Sequence, residues 1–238
     1  MFNGLSANTI EKGRTSPDNT GTRLESEFIG EVDGTQYKKL AYNFLHSEEI
    51  KEEMAKAKTP DEKFGQMIKI KEAAQKEFEN ALDLADRSKY IDFKNSVKLV
   101  EQSQPGNPER PNRFFSGALY NNIKKRFEDK YILKFFAATG GTHLDVVHGV
   151  DGFFKLYLKE NGQELATATF DLTGNSTKNS SRADVLIYID PSEKEKYDTS
   201  SSNKKFDKEF FDSKIDEFSK MITEALIENY QSSAEKNS

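Results

Sequence analysis

A short Asn-Gly turn near the middle of the chain constrains the fold more than any other feature of the sequence. Asn161 and Gly162 separate two runs rich in apolar and aromatic residues, at about 150–158 and 164–172. Such runs are typical of strands, and an Asn-Gly pair between them favours the backbone conformation of a tight hairpin. The sequence therefore predicts two antiparallel strands, with a further strand over about 185–189.

Helical patterns lie on both sides of this strand-rich zone. Apolar residues recur at three- to four-residue spacing before it, and one apolar stripe runs from Phe206 to Tyr230 after it. Thr59 followed by Pro60 is typical of a helix start, whereas the stretch from Tyr90 to Val100 fits either a helix or an irregular element. Together these patterns predict an α+β fold, in which a small mixed sheet of about four strands is flanked by helices.

A Pro- and Gly-rich breaker at residues 104–108 is the best candidate for a domain boundary. The predicted organisation is a flexible polar arm over 1–30, a helical subdomain over 31–104 and an α/β domain over 110–232 that ends in a long helix. The arm lacks the basic start and apolar run of a signal peptide. No apolar run approaches the roughly 18–20 residues of a spanning helix. We therefore expect a soluble, cytoplasmic protein without a membrane contact.

Charge and composition exclude several classes of protein. The 35 Lys and Arg residues against 40 Asp and Glu residues give a net charge of −5. This charge excludes a globally basic nucleic-acid binder but leaves room for a local basic groove. Because the chain has no cysteine, it can form neither a disulfide framework nor a thiolate metal site. The two common phosphate-binding loops, the GxSxG elbow and the HExxH zinc motif are also missing.

Two aspartates flank the open end of the predicted hairpin. Asp151 opens the first strand and Asp171 closes the second, so a turn at Asn161-Gly162 places residue 151 opposite about residue 172. Whether both carboxylates point to the same face of the sheet depends on the register. Carboxylates are hard oxygen ligands suited to Mg²⁺ or Mn²⁺, and Lys178 could orient water or stabilise charge on a phosphate. Ordinary structural roles at a turn or in an exposed loop remain the alternative.

A helix, a strand with Asp, and a strand with a second acid followed by Lys form an order that resembles the PD-(D/E)XK nuclease-like superfamily. The resemblance covers about residues 112–190. It implies that Asp151 and Asp171 bind the metal and act in catalysis. The sequence departs from the family pattern at Thr173, where the family has Lys, and the resemblance implies that Lys178 supplies the ammonium from a displaced position.

A third acid is expected on the helix before the sheet. The resemblance implies that Glu128 completes the metal site, with Asp129 as an alternative. The general alternative for an acid in such a charged run is a solvated helix face. His148 is a further candidate ligand or base, although a structural, hydrogen-bonded histidine is the more common case.

Two main classes of function follow from these residues. The first is a divalent-metal-dependent nuclease that hydrolyses DNA phosphodiester bonds, with the N-terminal helices shaping the groove for DNA. The second is a non-catalytic structural or interaction protein of a larger assembly, such as a viral particle, which Thr173 and the acidic net charge favour. A weaker third is an adaptor whose amphipathic helices bind a protein partner or a second copy of the chain.

Overall fold

A computed structural model describes residues 25–78, 89–197 and 205–236. Within them the chain forms an α+β fold, a mixed four-stranded sheet with helices on both faces, as the sequence predicts. Residues 1–24 of the predicted arm lie outside this described part.

The helices are α1 Gly34–Leu45, α2 Ser47–Lys56, α3 Pro60–Glu77, α4 Phe93–Gln102, α5 Phe114–Lys124, α6 His143–Val146, α7 Lys194–Tyr197 and α8 Lys208–Lys236. The strands are β1 Tyr131–Ala137, β2 Gly152–Leu158, β3 Glu164–Thr173 and β4 Val185–Tyr188. None of the helices in the described ranges combines the length and the apolar character needed to cross a bilayer.

The strands lie in the order β1-β2-β3-β4, antiparallel except for β4, which runs parallel to β3. The predicted hairpin is present, and Gly162 in its turn has a φ of 69°, which glycine adopts without strain. Gly152 pairs with Phe170. Asp151 therefore lies across from Asp171, one residue away from the expected partner.

Both faces of the sheet are apolar, because neighbouring phenylalanines on β2 point to opposite sides. Phe154 belongs to a core under α5 and α8, and Phe153 belongs to a second core with α1 and α4. Tyr37 and Val97 from the helical region fill that second core. The helices within 31–104 therefore pack directly on the sheet, since an apolar face must be covered.

Two helix starts carry the side-chain caps that fix their position. The Thr59 hydroxyl accepts a hydrogen bond from the Glu62 backbone N–H at 3.2 Å, and the Glu62 carboxylate bonds back to the Thr59 N–H. The Asp92 carboxylate accepts from the Asn95 N–H at 3.1 Å. This cap starts α4, so the stretch from Tyr90 to Val100 is largely helical.

Residues 25–30, predicted as the end of the arm, belong to the folded part instead. Residues 25–29 form a helical turn, and Phe28 and Ile29 are buried in the core. The Phe28 ring stacks on Phe115 with 5.1 Å between the ring centroids. The two apolar side chains explain the difference, because leaving them in water would cost about 1.5–3 kcal/mol each.

Gly152 lies where a larger side chain would collide with the Phe170 ring and with the backbone of Phe136. A Cβ at this position would lie 2.5 Å from Cζ of Phe170 and 3.2 Å from the carbonyl oxygen of Phe136. We expect Gly152→Ala to lower the free energy of unfolding by about 1–3 kcal/mol, measured by urea denaturation. Gly65→Ala is the control, because that helical site is open. It should raise stability by about 0.5–1 kcal/mol; an equal loss in both variants would contradict the steric explanation.

Candidate functional site

Asp151 is fixed between the ends of two neighbouring strands. Its N–H donates to the Phe170 carbonyl at 3.0 Å, and its own carbonyl accepts from the Ala138 N–H at 2.7 Å. One carboxylate oxygen, Oδ2, accepts from the Leu172 N–H at 2.7 Å. The residue is only 5% exposed. Its carboxylate is therefore held rigidly at the edge of the sheet where β2 begins and β3 ends.

Asp171 lies directly across from Asp151 and is equally buried. Its Oδ2 accepts a hydrogen bond from the Ser181 hydroxyl at 2.7 Å and forms an ion pair with the Lys178 ammonium. Both partners come from the loop between β3 and β4. The predicted pair of acids and the predicted lysine are thus brought together in space, although Lys178 is seven residues further along the chain than Asp171.

Asp145 enters the site from the short helix α6. The Thr142 hydroxyl oxygen accepts from the Asp145 N–H at 3.1 Å, and the same hydroxyl donates to the Ala138 carbonyl at 2.6 Å. The cap therefore ties α6 to the end of β1. The Gly141 N–H donates to Oδ2 of Asp145 at 3.3 Å, which fixes the orientation of the carboxylate.

Glu25 belongs to residues 25–33, which we call the N-terminal segment, and lies far from the other acids in sequence. The segment is tied to the chain just after β1. The Thr139 hydroxyl donates to the Gly30 carbonyl, and the Val32 N–H donates to the Thr139 carbonyl at 3.4 Å. Gly30 has a φ of 95°, so the turn that directs the chain past this strand end suits glycine.

The three carboxylates of Glu25, Asp145 and Asp151 form what we call the acidic triad. Each offers an oxygen, and these oxygens all lie within 4.8 Å of one another. Oxygen ligands in such a group could hold a hard cation of the Mg²⁺ or Ca²⁺ type. Asp171 adds a fourth negative charge beside the triad, and Lys178 offsets it.

Crowding and burial make ionisation of the triad unfavourable. Burial, and next the neighbouring charge of Asp145, raise the pKa of Glu25 to about 7. Burial is also the main cause that raises the pKa of Asp145 to about 6, with the Gly141 hydrogen bond opposing it. Burial and the charges of Glu25 and Asp145 raise the pKa of Asp151 well above its usual range. A bound cation would reverse these effects, since it favours the ionised form.

Glu128 does not join the site. It follows α5 at the start of β1, the end of the strand opposite to Asp151, and its exposed carboxylate pairs with Lys130 at 2.9 Å. Helix α5 ends at Lys124, so Glu128 lies in the following turn rather than on a helix that reaches the carboxylates. Asp129, next to it, is also exposed. The third carboxylate beside Asp145 and Asp151 is that of Glu25, and not an acid from the helix before the sheet.

His148 has a structural role. Its Nε2 lies 3.0 Å from the Ile91 carbonyl oxygen, and its ring is buried between Tyr90 and Phe93. This hydrogen bond joins the loop before β2 to the segment that leads into α4. The imidazole is therefore engaged away from the carboxylates.

Glu25 and Asp145 are not among the site residues that the sequence pattern predicts. Asp145 has a local signal, because Thr142 three residues before it marks a helix start, and only a short turn separates α6 from Asp151. Glu25 has none, since 120 residues separate it from Asp145 and only the folded chain brings them together.

The site thus combines closely spaced carboxylates with one lysine, at the end of a mixed sheet. This chemistry can concentrate a divalent cation and place a positive side chain beside it. Comparisons with models of protein families, with curated proteins and with solved structures found no match. The site's own residues are therefore the basis for assigning a function.

Proposed function

We propose that the protein is a divalent-metal-dependent, nuclease-like enzyme that hydrolyses DNA phosphodiester bonds and resembles the PD-(D/E)XK superfamily. The observation that carries the proposal is the acidic triad with all three carboxylates within 4.8 Å, beside the ion pair of Asp171 and Lys178. The acids that the resemblance implies, Asp151 and Asp171, face each other across β2 and β3, which supports it.

The donor set fits a hard divalent cation. It offers only carboxylate oxygens; burial, and next the neighbouring carboxylates, raise the pKa of Glu25 and of Asp151, and a cation would favour their ionised forms. Glu25, Asp145 and Asp151 would hold Mg²⁺ or Mn²⁺, with Asp171 at the side. The ion would polarise the phosphodiester and make a bound water more acidic.

The side chains around the triad have separate tasks in this proposal. Asp151 is positioned by the Leu172 N–H, which fixes its carboxylate beside the triad. Lys178 is more than a third exposed and lies on a loop, so its ammonium can reach a phosphate oxygen while it neutralises Asp171. There it would stabilise the negative charge that builds up when water attacks phosphorus and the bond to the leaving oxygen breaks.

The experiment that tests the proposal is cleavage of plasmid and single-stranded DNA by the purified protein, with Mg²⁺ or Mn²⁺ and with EDTA. We expect breakdown of DNA with either metal and none with the chelator, because carboxylates alone would repel the phosphate backbone. Circular dichroism in both buffers checks that the fold is retained. Equal cleavage with and without metal would point to a contaminating activity and contradict the proposal.

A folded protein that cleaves no DNA under any of these conditions would favour the non-catalytic alternative. In that case the site would be architectural, and the chain would act as an interaction protein. The exposed apolar residues Phe64, Met67 and Ile68, which lie three and four positions apart on α3, would then be the first surface to examine for a partner.

A further inference from the structure

A pair of exposed aromatic rings, Tyr90 and Phe93, lies at the start of α4. Tyr90 is 56% exposed and Phe93 is 43% exposed, although rings of this size are usually buried. Each packs an edge or a tilted face on the His148 ring, at centroid distances of 5.9 and 5.6 Å. His148 is itself held by the Ile91 carbonyl, so the two rings stand on a rigid base.

This aromatic pair is linked to the site by a short series of hydrogen bonds. The Gly149 N–H donates to the Asp145 backbone carbonyl at 3.0 Å, which ties the backbone next to His148 to α6. The Arg182 guanidinium donates to the Val147 carbonyl of the same loop at 2.9 Å. The Ser181 hydroxyl, on the residue before Arg182, donates to Asp171. The loop under the aromatic pair is therefore connected both to the helix that carries Asp145 and to the loop that holds Asp171.

Basic residues lie close to the aromatic pair along the chain and on the loop that contacts Val147. Residues 89–98 contain three lysines and one carboxylate, Asp92, and that carboxylate caps α4. Lys94, Lys98 and Arg182 are exposed, and none of them forms an ion pair within the described ranges. A protein with a net charge of −5 thus has a local basic and aromatic patch, and the loop that carries His148 connects this patch to α6.

We infer that Tyr90 and Phe93 form a stacking surface for unpaired bases of single-stranded DNA, with Lys94, Lys98 and Arg182 facing its phosphates. This inference rests on the proposed nuclease function and names its preferred substrate. Exposed aromatic rings between basic side chains bind single strands because each base offers a free face. In a duplex these faces are already stacked, so the rings gain little from it.

The test is binding of fluorescein-labelled oligothymidylate, followed by fluorescence anisotropy in EDTA so that no cleavage occurs. We expect Tyr90→Ala and Phe93→Ala each to weaken binding about tenfold, and the double variant about a hundredfold. Tyr90→Phe with Phe93→Tyr keeps both rings and should retain affinity within about twofold. Phe64→Ala removes an equally exposed ring, 66% accessible on α3, and should also bind like the wild type.

Cleavage assays on the same variants separate this inference from the function on which it rests. A wild type that cleaves DNA but binds oligothymidylate equally well with and without the two rings would overturn the inference and leave the nuclease proposal intact. If the wild type cleaves no DNA but binds oligothymidylate, and only the variants without the rings lose this binding, the stacking surface is supported and the nuclease proposal is overturned. Wild-type affinity no higher for the single strand than for a duplex would also overturn the inference.

Discussion

Replacing Asp151 by Asn is expected to lower the rate of metal-dependent DNA cleavage by about 100- to 1,000-fold. The amide has the size of the carboxylate and can still accept the hydrogen bond from the Leu172 N–H, so the fold should persist. What it loses is the negative charge at the centre of the triad. Initial rates of plasmid nicking at saturating Mg²⁺, with thermal unfolding as a check of folding, measure this effect.

Glu128→Gln is the matched control for this substitution. It also removes one carboxylate charge, but at the opposite end of β1, where the carboxylate pairs with Lys130. We therefore expect its cleavage rate to match that of the wild type. If both variants lost activity equally, the effect would follow from net charge and not from the triad; if neither did, Asp151 would have no part in the reaction.

Asp145→Asn should make the metal-free protein more stable at neutral pH, by about 1–3 kcal/mol in the free energy of unfolding. The pKa of Asp145 is raised from 3.8 to about 6, so ionising it costs more in the folded state than in the unfolded state. Its contribution to stability is therefore complete below about pH 4 and is lost as the pH rises through 6. Asn carries no charge and avoids this loss.

Urea denaturation in EDTA at several pH values measures the difference between the two proteins. The variant and the wild type should be equally stable below about pH 4, should diverge between about pH 4 and pH 6, and should differ by a constant amount above that. Adding Mg²⁺ should raise the midpoint of thermal unfolding of the wild type more than that of Asp145→Asn, because a ligand stabilises the state that binds it. Asp129→Asn, which removes an exposed charge far from the triad, should behave like the wild type in both experiments. A constant difference at all pH values would show that packing rather than charge is responsible.

Much of the fold could be predicted from local patterns. The Asn161-Gly162 turn determined the hairpin, and the apolar stripe of α8 became buried core through Ile215, Ile222 and Leu226. The register was one residue off because no local signal locates the pairing of an edge residue such as Asp151. The burial of Phe28 and Ile29 could not be predicted, because two apolar residues after a polar stretch do not form a periodic pattern.

The candidate site was predictable only where its residues lie close to the hairpin. Asp151 and Asp171 follow from the turn between them, and Lys178 from its place in the next loop. Glu128 is close to the hairpin in sequence, which favours it as the third acid. Its side chain nevertheless lies at the opposite end of β1 from Asp151, where it pairs with Lys130. Glu25 depends on tertiary packing of Phe28 and on backbone bonds to Thr139, which no short sequence window contains.

The attachment of the N-terminal segment gives the site a property of its own, because the segment is anchored by the buried side chains of Phe28, Ile29 and Val32 and by a few backbone bonds. Between Gly30 and Asp33 these are the bonds to Thr139 and a bond of 2.8 Å from the Asp33 N–H to the Ser103 carbonyl. Opening such a segment requires less free energy than unfolding the whole sheet. The molecule therefore has two nested levels of order: a scaffold that keeps Asp145 and Asp151 in place, and an N-terminal edge that supplies Glu25. We expect local opening of that edge to remove one carboxylate from the triad while the sheet stays folded.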